Sequence, residues 1–465
     1  MTHPIQPIEE SRTAGPFSPA LRLLTIGLLL NVLGYAFEAL AVSAVMPAVN
    51  ADLGRPDLYG WVFSAYMLAN LVGIVVAGLD ADTHGPSRPL LWGAIIFSTG
   101  LILGGLAPSM PLLIAARTLQ GLGGGGLGAI AYVAVSRAYP DSVRPRMLAL
   151  LSTGWVIPGL VGPGVAGLIA STVGWRWVFL ALAPIPMIAL VLATPQLRPI
   201  PGGSAPTDGR RRVLTSIALA AGAGMLLSAL GQHDLPRGLI LGAAGLMIGL
   251  PALTRLMPPG TLRAAPGLPS AIATMLLINL ALVGVDAFIP LAMVDVRGQT
   301  LHVASLTITA ISLSWTTGAW LQARLAPSGK RRPLVLLGLA VMLVGTLLMV
   351  TLLYPFISAR FAPFFWAVSG LGIGLAFSTL TLTVLETASP GQEGEASASM
   401  NLGNQLGSGL GAGIGGAFIS LIGHDGGHLQ RALTVQFLCM AGVLVLAMIA
   451  ATGLPKRRAS LPTDH

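Results

Sequence analysis

Apolar runs long enough to cross a bilayer follow one another along almost the whole chain, separated by short polar stretches. They fall near residues 21–47, 58–79, 89–107, 110–136, 146–171 and 176–195, then 213–231 and 237–256, then 267–293, 301–325, 333–354, 361–386, 396–422 and 432–453. About 20 apolar residues make one membrane-spanning helix, so the pattern predicts 14 transmembrane helices arranged as six, two and six. The polar stretch 195–212, rich in Pro, Gly and Arg, reads as a linker after the sixth. The predicted units are a tail over 1–20, a six-helix bundle over 21–195, a linker with two additional helices over 196–266, a second six-helix bundle over 267–453 and a tail over 454–465. A transmembrane β-barrel, which alternates apolar and polar residues in segments of roughly ten, does not fit. The fold class is an all-α polytopic membrane protein.

Composition narrows this further. Only 9% of residues are charged and 54% are hydrophobic, a balance that no soluble domain needs. The formal net charge of +9 does not signal a nucleic-acid partner, because the cations sit in short clusters between apolar runs. Of the 26 Lys and Arg residues, 19 lie on the side that holds both termini, six on the other, and Arg117 lies inside a helix. That asymmetry predicts a multi-pass protein of the cell inner (plasma) membrane with both termini cytoplasmic. The first apolar run is too long for a cleaved leader and carries Glu38, so a retained first helix is expected. Cys439, the single cysteine, excludes an internal disulfide and is expected to be a buried thiol.

The two six-helix parts show internal repetition. GLGGGG at 121–126 is followed by an apolar run to Pro140, a polar loop and a glycine-rich helix at 161–167; GLGIG at 370–374 is followed by a run to Pro390, a loop and glycines at 407–416. Two similar bundles imply a site at their interface near mid-membrane, opened to each side in turn. The G-x-G-x-x-G spacing at Gly121, Gly123 and Gly126 is not a nucleotide fingerprint, since no strand precedes it; small-residue helix packing explains it.

Three charges are embedded in apolar runs: Glu38, Arg117 and Asp286. Counted along a helix, Glu38 lies roughly 13 Å, and Arg117 and Asp286 roughly 10 Å, from the outer surface, one shared layer. Facing lipid they would be costly, so they should face the space between bundles or one another. One reading makes Glu38 and Asp286 proton carriers: burial opposes the charged carboxylate and a nearby Arg117 favours it, so a helix shift that makes or breaks the contact moves a proton. The other makes Glu38–Arg117 a static pair pinning two helices, and Asp286 a structural acid at a helix distortion near Pro290. Asn31, Tyr35, Gln120, Asn279, Trp315, Asn404 and Gln405 are candidates to line a substrate cavity, as are Asn70 and Asn401, although some must only join neighbouring helices. Pro158, Gly162 and Pro163 should bend the fifth helix. His424 and His428 belong to a solvated loop rather than a metal site. An enzyme would need a cluster of nucleophile, base or metal ligands at one depth, which these charges do not supply, and no cofactor is expected.

Four stretches then act together. Glu38 is followed nine residues later by Pro47, with Asp52, Leu53 and Gly54 beyond; 117–121 read RTLQG; 162–167 read GPGVAG; and 175–186 read WRWVFLALAPIP. In this order and spacing the chain resembles the major facilitator superfamily, specifically its fourteen-span drug:proton antiporter branch, over nearly its whole length. The resemblance implies the major facilitator fold and export of lipophilic or cationic small molecules driven by a proton gradient. Proton coupling is expected at Glu38 and Arg117, which lie in these stretches, and at Asp286 from its placement in an apolar run; the resemblance also implies helix bending at Gly162, Pro163 and Gly167 that limits leak. The implied partners are the bilayer, a small-molecule substrate and protons, for a monomer. The family's loop after helix two appears only in part: GLDADTHGPS at 78–87 keeps Gly78, Ala81, Asp82 and Gly85 but has Asp80, Thr83, Pro86 and Ser87 elsewhere in the motif, with Arg88 the nearest cation. Asp82, Gly85 and Arg88 are therefore expected to form a weakened gating latch, with no partner assigned to Asp82. Leu40 and Ser43 replace the family's threonine and asparagine, and Glu38 is one methylene longer than the usual aspartate. Export of an endogenous lipid or secondary metabolite, or a non-transporting membrane sensor, remain the alternative readings.

Overall fold

The computed structural model describes residues 15–140, 142–203, 208–325, 331–388, 393–423 and 426–455. Most of both predicted tails, part of the linker, Pro390 and His424 lie outside the described residues. The first part comprises α1 (Arg22–Leu53), α2 (Tyr59–His84), α3 (Ser87–Gly105), α4 (Met110–Ala138), α5 (Arg144–Thr153), α6 (Val156–Thr172), α7 (Arg176–Leu182) and α8 (Pro184–Leu197). A hairpin follows, α9 (Gly209–Leu230) and α10 (Leu235–Leu256). The last part comprises α11 (Leu268–Asp286), α12 (Ile289–Leu291) with a π turn (Ala292–Val296), α13 (Leu301–Leu325), α14 (Arg331–Leu352), α15 (Ala362–Thr387), α16 (Glu393–Ile422) and α17 (Gly426–Ala451).

Twelve helices among the described residues are long and apolar enough to cross a membrane, two fewer than the apolar runs suggested. The run at 146–171 is split into α5 and α6, and α13, although 25 residues long, is rich in Ser and Thr. Those hydroxyls bond back along their own helix, as Thr307 to Val303 O (2.9 Å) and Thr316 to Ser312 O (3.1 Å), so α13 hides its polarity although its composition is less apolar.

The repeat is visible in the packing. In the first part α4 packs on α2 and α3, and α1 on α6 and α8; in the last part α15 packs on α13 and α14, and α11 on α16 and α17. The glycines of α4 and α15 make this possible. A Cβ at Gly121 or Gly125 would strike the backbone of α2, and one at Gly123 that of α3; Gly370 and Gly374 stand likewise against α13, and Gly372 against α14. Equal spacing of small residues thus seats two partners on two faces of each central helix. Contacts between the parts run mainly through α2 with α16 and α6 with α13.

Two helices break where proline removes a donor. Pro158 cannot bond Gly154 O, and the fifth rod divides at Gly154–Trp155, one turn before the expected bend; α6 itself continues through Pro163. Pro290 likewise leaves Asp286 O without its helical donor, and α11 ends at Asp286. Cys439 is exposed on α17 rather than buried: a thiol is apolar enough to face lipid, so the span's hydrophobicity did not fix its direction.

Candidate functional site

Glu38 is fully buried on α1, and Arg117, 2% exposed, reaches it from α4 to form an ion pair. The guanidinium is held on every side. It donates to Gln120 Oε1 on its own helix and through Nε to Val62 O of α2 at 3.2 Å, and it lies over the Tyr66 ring at 4.1 Å. Gln120, three residues on, passes the contact to α3 by donating to Gly100 O at 2.8 Å. It is fully buried, so it joins helices and does not line an open cavity. Around this pair, Glu38 Oε2, the Tyr66 hydroxyl and the Asn70 amide are buried without a hydrogen bond of ordinary geometry among the described residues, with Tyr66 beside both Glu38 and Tyr35 and Asn70 beside Tyr35. Burying polar groups costs free energy unless they are paired, and here they face one another around the ion pair.

Asp286 occupies the end of α11, where the helix breaks, and keeps partial exposure. It accepts a 2.9 Å hydrogen bond from Trp366 Nε1 of α15 and makes no ion pair among the described residues. The next carbonyl, Ala287 O, accepts from the Tyr59 hydroxyl of α2 at 3.2 Å. Arg117 lies four residues before Gly121, and Trp366 four residues before Gly370, so they hold the same repeat position on equivalent helices. Each bundle therefore sets one acid of its first helix against the same place on its fourth: a guanidinium in one, an indole N–H in the other.

The other predicted residues divide. Tyr35 of α1 meets Trp155 edge to face at 5.7 Å and lies beside Gln405 of α16, across the bundle boundary. Trp315 of α13 packs on Phe377 of α15 at 5.4 Å. Tyr35, Trp315, Asn404 and Gln405 all retain partial exposure. Asn31 is buried and donates to Leu127 O at 3.0 Å, and Asn279 donates to Met275 O and Asn404 Oδ1, both at 2.9 Å; these tie helices within a bundle. Tyr66, Trp155, Trp366 and Phe377 were not singled out from the sequence, and only Trp366 carried a usable signal, its repeat position.

At the side of the termini, Asp82 pairs with Arg137 of α4 at 2.7 Å, and Arg137 also donates to Ala81 O at 2.9 Å. Arg88 goes instead to Asp80 (3.5 Å), which also takes His84 Nδ1 (2.8 Å) and Trp92 Nε1 (2.9 Å). Asp82 thus has a partner the sequence did not identify, because Arg137 is 55 residues away. Gly85 ends α2 at φ +84°, with Ile200 O where a Cβ would stand, so only glycine fits. In the last part Glu386 of α15 binds Arg331 through both oxygens at 2.7 and 3.1 Å. Arg137 and Glu386 again share a repeat position, sixteen residues after Gly121 and Gly370, with the charge reversed.

At the opposite side the two bundles meet. Ser64 Oγ donates to Gly409 O at 2.8 Å, Gly60 lies against the backbone of Ala412 and Gly416, and the Tyr59 ring meets Phe288 at 5.3 Å. Gly159 and Gly167 of α6 face Ser312 and Ser305 of α13. Gly162 faces Phe37 of α1. Asp52, at the end of α1, accepts from Trp175 Nε1 (3.0 Å) and pairs with Arg176 (2.5 Å), which joins two of the stretches that carried the resemblance.

The sequence profile of the Major Facilitator Superfamily matches residues 24–412. The chain belongs to this superfamily. It is similar to a probable multidrug-efflux transporter of Mycobacterium tuberculosis (strain ATCC 25618 / H37Rv), 28% identical over 451 residues, 91% of this chain and 93% of that one. It is also similar to the multidrug transporter protein MdtP of Bacillus subtilis (strain 168), 26% identical over 389 residues, 81% of this chain and 71% of the relative. Among solved structures, a bacterial homolog of the human lysosomal transporter Spinster, inward-facing and unoccupied, matches with a TM-score of 0.68 at 16% identity, covering 95% of this chain and 99% of that one. A D-xylose-proton symporter matches with a TM-score of 0.66 at 14% identity, covering 93% and 98%. These superfamily members share the fold, and the chain is a multi-pass membrane transporter rather than an enzyme.

Proposed function

We propose that this superfamily member is a proton-coupled exporter of lipophilic or cationic small molecules, working by alternating access, with Glu38 and Asp286 as its proton-carrying acids. The observation that carries the reading is the paired placement of two embedded acids, one per bundle, against the same repeat position. Glu38 changes protonation only when Arg117 shifts, because an unpaired guanidinium in the core is costly. Asp286 has an uncharged donor and retains exposure, so it takes or loses a proton without stranding a countercharge. With both termini in the cytoplasm, as the charge asymmetry supports, the contacts at Ser64, Gly60 and Gly167 close the outer side. A proton moving down about 150 mV gains roughly 3.5 kcal/mol, sufficient at one-to-one coupling to concentrate a neutral substrate a few hundredfold. Tyr35, Trp155, Trp315 and Phe377 supply aromatic faces suited to lipophilic cations.

The test is reconstitution into liposomes with an imposed pH gradient, following accumulation of a lipophilic cationic dye. Gradient-dependent accumulation, abolished in Glu38→Gln or Asp286→Asn, is expected. Accumulation indifferent to the gradient and to both substitutions would contradict the proposal.

A further inference from the structure

The α9–α10 hairpin contributes none of the groups described above, yet it carries an open groove lined by three arginines. An open groove of about 630 Å³ runs between the two helices at the end nearest the chain termini. Arg210 and Arg211 from the start of α9 and Arg255 from the end of α10 converge on its rim, and Leu214, Met247 and Ile248 line its floor. The three apolar side chains are exposed, Met247 by 77%, so the floor faces the hydrocarbon of the bilayer. None of the three arginines makes a side-chain hydrogen bond or ion pair among the described residues.

Cations gather on this side of the protein for topological reasons, but that does not explain why two helices aim theirs at one trough. Arg210 and Arg211 also occupy the first turn of α9, where the helix dipole disfavours positive charge and the one described acid at that end is the N-cap residue Asp208. Asp208, the residue before α9, makes no side-chain capping bond to the first backbone N–H groups. A single anion at the rim would satisfy the guanidinium forks and the helix end together.

We propose that this groove is a binding site for one anionic diacyl phospholipid of the leaflet nearest the termini. The phosphate lies among Arg210, Arg211 and Arg255, and an acyl chain runs along Leu214, Met247 and Ile248. Charge on the rim and an apolar floor at hydrocarbon depth together select a lipid over a soluble anion, which would leave the floor unused. Because α9 also packs on α2 and α16, the helices that join the two bundles, the lipid would sit beside the moving seam.

The experiment is native mass spectrometry of the full chain released from nanodiscs of phosphatidylcholine doped with phosphatidylglycerol. Wild type is compared with the triple variant Arg210→Gln, Arg211→Gln, Arg255→Gln and with a control triple, Arg198→Gln, Arg324→Gln, Arg332→Gln, which removes as many cations from the same side. Wild type and control are expected to retain one phosphatidylglycerol per chain, and the groove variant to bind it about tenfold more weakly or worse. Melting temperatures in pure phosphatidylcholine, expected to match, show that the variants are folded. Equal retention by all three proteins, equal loss in both variants, or displacement of the lipid by millimolar inorganic phosphate would overturn the proposal. So would a dimer bridged through α10 in place of bound lipid.

Discussion

Glu38 and Asp286 differ in what their removal leaves behind, and that difference is measurable. Glu38→Gln strands the Arg117 charge in a site where it is 2% exposed, a loss of about 3–5 kcal/mol for a broken buried pair. Asp286→Asn keeps a carbonyl for Trp366 Nε1 to donate to and should cost less than about 1 kcal/mol. Thermal unfolding in detergent should therefore show a large fall for Glu38→Gln, a small one for Asp286→Asn, and partial recovery in the double variant Glu38→Gln, Arg117→Gln. Equal falls for the two single variants would mean that Asp286 also has a charged partner. Trp366→Phe removes the N–H and leaves a small cavity at a buried position, so gradient-driven uptake should drop roughly tenfold while stability falls by only about 1 kcal/mol. The meeting of Glu38 and Arg117 was legible because both charges counted to one depth along their helices. Trp366 was not, since an indole in an apolar helix breaks no pattern; only its offset from Gly370 distinguishes it. Gln120 was read as facing substrate, but its place one turn from Arg117 turns it to the same partners.

At the scale of elements, glycine positions do most of the positioning. Gly60 lets α2 touch α16, and a Cβ there would meet the backbone of Ala412 and Gly416. Gly60→Val should part the bundles on this side and leave it open. A cysteine-labelling assay at Tyr59→Cys should then show several-fold faster modification, and unchanged labelling would mean that the contact is not part of the closure. The break after Asp286 follows from Pro290, and Pro290→Ala, by restoring a donor for Asp286 O, should straighten this helix and impair transport more than stability. Helix existence was readable from apolar length. The place of a break was less so, because a proline frees the carbonyl four residues earlier, which moved the fifth helix's interruption to Gly154–Trp155. The pairing of Asp82 with Arg137 was hidden for a different reason: sequence spacing within one loop says nothing of a cation arriving from another helix.

For the whole molecule, the repeat organises both the packing and the chemistry. Arg117 and Trp366, Arg137 and Glu386, and the two glycine triplets each occupy matching positions, so one repeated geometry carries two different sets of side chains. The two-bundle arrangement was foreseeable from the Gly-to-Pro repeats, whereas the closure of one side was not, because either side can close with the same pattern. Proton coupling at these acids, as proposed, separates two activities that can be measured apart. Its most direct test compares, in the same liposomes, substrate exchange without a gradient and uphill accumulation driven by a pH gradient, for wild type and Asp286→Asn. Wild type should do both, and Asp286→Asn should exchange substrate while failing to accumulate it. A variant that still accumulates substrate against its gradient would contradict the claim.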